Sequence, residues 1–476
     1  MQIKWLTIAL ILIVLTLDGC QSSSNNHKIA STVQHQPVNV IKTPTTTKEQ
    51  TIQQPSKTVK RTTESKPTSV TRQLPQITQE PLIAVYLKRG SLIVLTLARD
   101  GVVTVNNTTI NIPKGKLKFK LTANGIVSNV TGSQTLGDRV YIKVPYLPDT
   151  ATFRTKVFPP FGKPERLAFI GEPEILYDPL SRKLILVELV GLEDYLRGVL
   201  PTEISPKWPL EAIKAQAVVA RSYTLDRYLR RFDQIWHLHW HFTVDMAYSG
   251  LKQLNYRMAV ALKQTRGQLI TTNKLPVPAF FHACSGGRTE NGRNFRPELM
   301  GADGVTSVLQ VMPSVNDPYA IRGARSLNLL RTHIDWQTTL SLSEVNIRLH
   351  KWMREHPDDR IPLGKVQSVH IGERFYDSER LKTVLIRHTL NNQKVETALS
   401  ATMFRLAVGP GKVRSTNWQS CVLSTDSKSL LIRGQGYGHG VGLSQVSAYQ
   451  MAQEGHNAGN IVRYFYPNAK LTQWWQ

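Results

Sequence analysis

From about Leu82 to about residue 190 the chain alternates short apolar runs with turn residues. LIAVYL, SLIVLTL, GVVTV, LKFKLT and RVYIKV are separated by ARDG, VNN, PKGK and TANG. Short β-type runs broken by frequent turns predict an antiparallel β module. The pattern changes at Leu210. Neither Pro nor Gly interrupts Leu210 to Arg231, Pro209 suits a first helical position, and Leu210, Ile213, Ala217, Ala220 and Thr224 recur at helical spacing. A long helix with that stripe toward the core is predicted. Lys214 and Arg221 lie about two turns apart and project together from a neighbouring face. Either something anionic or hydroxyl-rich lies across them, or both are solvated. Beyond about 245, KVQSVHI and LKTVLIRH read as strands and Ser341 to Glu355 as a helix. The last block opens on a Gly-rich loop. It continues as a helix from about Leu443 to Glu454, stops at Gly455, and closes with a short helix ending at YFYP. The fold class is therefore α+β.

Two stretches fall outside this pattern. Lys4 precedes an apolar run of 13 residues, Trp5 to Leu17. That is short for a bilayer span, which takes about 20 residues, and suits the apolar core of a signal peptide. The following Leu17-Asp18-Gly19-Cys20 resembles a bacterial lipobox, with Cys20 as the lipidated residue; an uncleaved N-terminal anchor is the alternative. Either way the protein is expected to be exported and membrane-anchored. Residues 21–80 are rich in Thr, Ser, Gln, Pro and Lys, too poor in apolar surface to order themselves, and read as a tether. The expected organisation is thus a leader over 1–20, a disordered linker over 21–80, a β-rich module over 81–165 and a larger domain over 166–476.

Charge and cysteine content narrow the partners. The net charge is +25, and most of it belongs to the part beyond the linker. In an exported protein nucleic acid is not the expected partner; wall polymers and anionic lipid fit, as does a generic basic surface. After Cys20 only Cys284 and Cys421 remain. They could pair in an oxidising compartment, or form two separate buried thiols, which we expect.

Several places could carry chemistry. Glycines at 434, 436, 438, 440 and 442 alternate around Tyr437 and His439. No GK[ST] and no strand–G-x-G-x-x-G–helix unit makes this a nucleotide loop. The alternation suggests an extended segment presenting Tyr437 and His439 at a cleft, ahead of Ser444 and Gln445 at a helix start; a structural turn is the other reading. His237, His239 and His241 would share one face of a strand, yet no fourth metal ligand is evident. His282 and Cys284 are a further candidate pair for a metal or thiol role. No cofactor is implied. Glu203 differs, because Pro201, Pro206 and Pro209 frame it near Trp208. Partial desolvation there would raise its pKa toward the range of a general acid. Alternatively, Glu203 is simply a favourable charge at the N-terminus of the helix that follows.

Three blocks carry a resemblance. LEDYLRGVLPTEISPKWPLEAIKAQAVVARSYTL, FFHACSGGRTEN and GQGYGHGVGLSQVSAYQMAQEGHNAGNIVRYFYPNAKL occur in order between roughly 165 and 470. Together they resemble the SpoIID/LytB family, named for stage II sporulation protein D and an amidase enhancer. The resemblance implies a SpoIID-like catalytic core after the β-rich module. It implies a lytic transglycosylase that cleaves MurNAc–GlcNAc bonds of peptidoglycan and leaves 1,6-anhydro-MurNAc ends. The acid of the family's P-x-E motif falls on Glu203. Lys214 and Arg221 match its cleft residues, with Tyr437, His439 and Gln445 as further substrate contacts. Some members bind zinc through a Cys/His cluster; the matching HFTVDMAYSG has no cysteine, so no metal is carried over. The family also contains amidase enhancers, so a non-catalytic glycan-binding protein that activates a separate amidase is the competing expectation, with a structural wall-binding lipoprotein as a third.

Overall fold

The computed structural model describes residues 77–476 apart from 106–107, 133–134, 146–149, 160–162, 252–253, 296–309 and 358–359. The leader with Cys20 and most of the expected linker lie outside the described residues. No helix among the described residues is long and apolar enough to cross a membrane.

The β-type runs form two sheets. A seven-stranded sheet takes Leu82–Gly90, Gly101–Val105, Thr108–Ile112, Arg139–Lys143, Glu172–Asp178, Lys183–Gly191 and the two residues Leu238–His239. A five-stranded sheet takes Leu92–Leu97, Gly115–Thr122, Gly125–Ser128, Phe153–Val157 and Glu165–Phe169. Alternation decides which side chains turn inward: Ile93, Leu95 and Leu97, and opposite them Leu117 and Phe119, are buried while their neighbours face out. The position 165/166, expected as a domain boundary, runs into a sheet, since Glu165–Phe169 pairs with Phe153–Val157. The β module and the larger domain share one apolar core that runs from Ile83 to Trp475.

The larger sheet aims the helical part. Lys183–Gly191 pairs antiparallel with Leu82–Gly90, placing Gly191 opposite Leu82. The chain then turns directly into a helix, Leu192–Glu203. The apolar pattern did not predict this helix, because Gly198 and Pro201 lie inside it. A second helix, Leu210–Arg230, matches the predicted span. It is not amphipathic, however. From Ala212 to Leu229 almost every residue is buried, polar ones included, because sheet, neighbouring helices and C-terminal segments surround it.

A second apolar core, centred on Trp336 and Trp418, belongs to a lobe built between about residues 336 and 435. Its strands are Trp336–Ser341, Lys365–Ile371, Thr383–Leu390, Gln393–Ser400, Asn417–Leu423 and Ser429–Gln435, with helices Leu342–Glu355 and Ala401–Val408. Ser341 caps the first of these helices, its hydroxyl accepting from Glu344 N–H. The C-terminal helices are Gln445–Gln453 and Ala458–Phe465, with Gly455 at φ +88° between them.

One loop approaches two elements at once. Ser249 N–H donates to Gly198 O and Leu251 N–H to Ala168 O. A Cβ on Gly250, at φ +68°, would lie 2.0 Å from Ala168 O, and one on Gly198 would lie 2.4 Å from the Tyr248 ring. Gly250→Ala is expected to cost about 2–3 kcal/mol through clash and backbone strain, read as a lower melting temperature.

Candidate active site

Glu203 is the last residue of the Leu192–Glu203 helix, and the next helix begins after Pro209. The alternative of a favourable N-terminal helix charge is therefore overturned. Glu203 sits at the carbonyl end, where the helix dipole disfavours a carboxylate. Its side chain is half-buried. Oε1 accepts one hydrogen bond, from Ala247 N–H at 2.9 Å. Loss of hydration pushes its pKa up to about 7, and the Ala247 N–H opposes that rise.

The surroundings of Glu203 are hydroxyls and amides. Thr202 Oγ1 donates to Ala247 O at 2.7 Å, so adjacent residues of the helix grip both faces of one peptide loop. Asp245 anchors the same loop. It is buried, accepts from Tyr223 OH at 2.9 Å and His239 N–H at 2.8 Å, and faces Arg231 and Arg227 at 3.3 and 3.5 Å. Gln445 Nε2 donates to Glu203 O at 3.0 Å and to Gln216 Oε1 at 3.3 Å. Gln445 therefore holds the backbone of Glu203 from the far C-terminal block. Burial first, and then nearby groups that include Asp245 and Glu203, oppose ionisation of the Tyr195 phenol, and among the described residues its buried hydroxyl has no hydrogen-bond partner. Sequence reasoning singled out none of Tyr195, Gln216, Asp245 and Ala247. Tyr195 and Gln216 lie within the first block of the resemblance, and Asp245 and Ala247 within the polar HFTVDMAYSG stretch.

The expected cations are not arrayed around Glu203. Lys214 is half-buried and pairs with Glu211 at 2.7 Å, while Glu211 also accepts Ala458 N–H. Arg221 is fully buried. Its Nε and Nη2 clamp the two oxygens of Glu193 at 2.9 Å each, and Nη1 reaches Gln268 O at 3.3 Å. The anion across from Arg221 is thus the protein's own Glu193, so its expectation as a substrate contact is corrected. Glu193 Oε1 also accepts Gly267 N–H and Trp475 Nε1–H.

The Gly-rich segment is likewise not extended. Gly436, Gly438, Gly440 and Gly442 all have positive φ, and the chain winds against FFHACSGG. Tyr437 is buried in a small apolar cluster with Cys284, under the Arg414 guanidinium, and is not presented at a cleft. The bare Cα of Gly440 makes room for the buried Arg380 guanidinium. His439 is half-buried, stacked on Phe295 with centroids 4.5 Å apart and beside His282. Cys284 and Cys421 are both free thiols, pushed up to about 12 by burial.

The histidine trio does not converge on a metal. His237 Nδ1 accepts Ala84 N–H, His239 Nδ1 accepts His241 N–H, and His241 Nδ1 meets Thr243 Oγ1. Among the described residues no three His, Cys, Asp or Glu side chains group as a metal site.

The stage II sporulation protein (SpoIID) family profile matches residues 181–272, which contain both helices, Glu203, Arg221 and the Ala247 loop. Over this stretch the chain is similar to the SpoIID/LytB family. An uncharacterized protein of Brachyspira hyodysenteriae is 27% identical over 63% of this chain and 72% of its own length. The amidase enhancer of Bacillus subtilis is 25% identical over 59% of this chain and 40% of its own length. Stage II sporulation protein D of the same organism is 21% identical over 60% of this chain and 76% of its own. In SpoIID/LytB terms, the profile covers the part of the fold that sets Glu203 against Ala247. Gln445 reaches that part from outside it.

Proposed function

We propose that the protein is an exported, wall-associated lytic transglycosylase acting on peptidoglycan glycan strands, with Glu203 as the single acid and base. One observation carries this reading. Glu203 is a half-buried carboxyl held near neutrality among hydroxyls and amides, while the nearby acids are already engaged. Glu193 is clamped by Arg221, Asp245 is anchored by Tyr223 and the arginines, Glu211 pairs with Lys214, and Asp194 pairs with Arg197. Glycoside hydrolysis ordinarily uses two free carboxyls, one to protonate the leaving oxygen and one to attack or to activate water. A transglycosylase needs one. Protonated Glu203 gives its proton to the oxygen of the MurNAc–GlcNAc bond as the C1–O bond breaks. The resulting carboxylate takes the proton of the same sugar's C6 hydroxyl as that oxygen closes on C1. The product is a 1,6-anhydro-MurNAc end, Glu203 is protonated again, and no water is consumed. Holding both oxygens on one sugar makes the second step intramolecular.

Lys214 and His439 enter this reading as glycan contacts, and Gln445 as a positioning residue. Gln445→Ala is expected to lower kcat about tenfold or more by freeing the Glu203 backbone, with KM nearly unchanged and stability down by about 1 kcal/mol. Steady-state kinetics on soluble glycan separate these effects.

The test of the main reading is digestion of purified glycan strands, with and without stem peptides, followed by mass spectrometry. Anhydro ends support it; intact strands at full protein occupancy sink it. The relative named as an amidase enhancer favours a second reading, in which the protein binds glycan and stimulates a separate amidase. Stimulation of an added amidase without any anhydro product would establish that one instead.

A further inference from the structure

Away from Glu203 lies an open cleft of about 880 Å³, within the size range of ligand sites. Its walls come from the five-stranded sheet, the Leu192–Glu203 helix, the Tyr256–Gln264 helix, and Leu251 and Leu254. We propose that this cleft binds an acidic peptide.

The chemistry of the lining selects that class. Arg154, Arg197, Lys263 and Arg266 surround the opening. The acids present are committed to protein partners: Glu193 to Arg221, and Asp194 to Arg197. Arg266 is paired with Glu80. Arg154 and Lys263, both exposed, form no ion pair with any described residue and stand on different walls. The cleft therefore offers unneutralised positive charge from two sides. Its lining also includes the aliphatic Leu251, Leu254 and Leu262. Among the described residues no aromatic side chain lines it. Sugars are usually gripped by stacking their C–H faces on aromatic rings, so a bare glycan is a poor match. A peptide with both aliphatic and carboxylate side chains matches both kinds of lining residue.

The occupant comes from outside the chain. Among the described residues the chain passes beside this cleft at Glu80, which meets Arg266 and accepts Glu193 N–H. Residues 21–76 carry eight Lys or Arg against two Glu, so like charge disfavours that stretch as the ligand. The cleft and Glu203 share the Leu192–Glu203 helix, with Arg197 on its middle turns and Glu203 at its end. Binding here does not require that Glu203 be catalytic, and the two are measured separately.

The test is fluorescence anisotropy with the full chain and two labelled probes: an all-L Leu/Glu hexapeptide and a soluble wall stem peptide. The R154E/K263E variant is expected to weaken binding at least tenfold. K365E/K394E, which reverses two exposed lysines of the lobe between residues 336 and 435, is expected to leave it within twofold. Tighter binding of the stem peptide assigns the source to the wall, and tighter binding of the all-L probe assigns it to a protein partner. Absence of binding by the unaltered chain overturns the proposal, as does equal weakening by both reversals, which would mean general surface charge. Binding that appears only after deletion of residues 21–74 also overturns it, because the chain's own segment would then be the occupant.

Discussion

Glu203→Gln is expected to lower glycan cleavage about 10³-fold, within the span that general acid–base groups contribute, while leaving a folded protein that is more stable than the wild type above neutral pH. The amide keeps an oxygen for Ala247 N–H and removes only the proton that moves. The wild-type pH profile follows from the same group. With a pKa near 7, the protonated fraction falls about tenfold for each pH unit beyond that value, and kcat/KM for glycan falls with it. The stability effect has a definite sign. Folding raises this carboxyl from 4.5 to about 7, so the folded chain holds the proton more tightly than the unfolded one. Stability is therefore full below about pH 4.5 and declines as pH rises to about 7. Glutamine has no such decline. Allowing for the partly open position of the side chain, the variant gains about 1–2 kcal/mol at pH 8 and nothing at pH 4. Melting curves at those two values check this against anhydro-product yield. A variant that lost activity and stability together would mean that Glu203 is structural.

Arg221→Met is expected to destabilise the protein by about 3–5 kcal/mol, because it strands a buried carboxylate. Glu193 would keep Gly267 N–H and Trp475 Nε1–H but lose both charged bonds. The double variant R221M/E193Q should recover most of that loss, since replacing both partners removes the unpaired charge. An arginine that gripped substrate would behave otherwise, with KM rising and the melting temperature unmoved. Thermal denaturation of the two variants beside the wild type distinguishes these roles, and no recovery in the double variant would refute the ion-pair account.

The legible parts of this protein were those where local pattern and tertiary role agree. The strand runs from Leu82 and the breaker-free Leu210–Arg230 helix are of that kind. Glu203 stood out because prolines and a family motif surround it. Arg221 could not be placed, since its partner lies 28 residues away in a helix that Gly198 and Pro201 conceal. Lys214 and Arg221 share a face by spacing, but a helix enclosed on nearly every side has no solvent face to share. Tyr437 was misjudged for a backbone reason. Alternating glycines fit an extended strand as well as a series of left-handed turns, and only the close approach of Cys284 and Arg380 selects the second. Gln445 was found by resemblance, yet its grip on the Glu203 carbonyl spans 242 positions.

The Glu193 clamp has a consequence for the order in which the molecule is made. One of its donors, Trp475, lies 282 positions later, and the strand Lys470–Gln473 beside it pairs with Gln268–Thr272. A chain delivered from its N-terminus presents the two helices long before these closing residues arrive. Until then the pocket around Glu193 and Arg221 stays wet and its charges stay hydrated. Completion of the core is thus a late, long-range event, of the kind that slows folding and prolongs exposure of apolar surface. The helix that ends at Glu203 would set only when nearly the whole polypeptide has emerged.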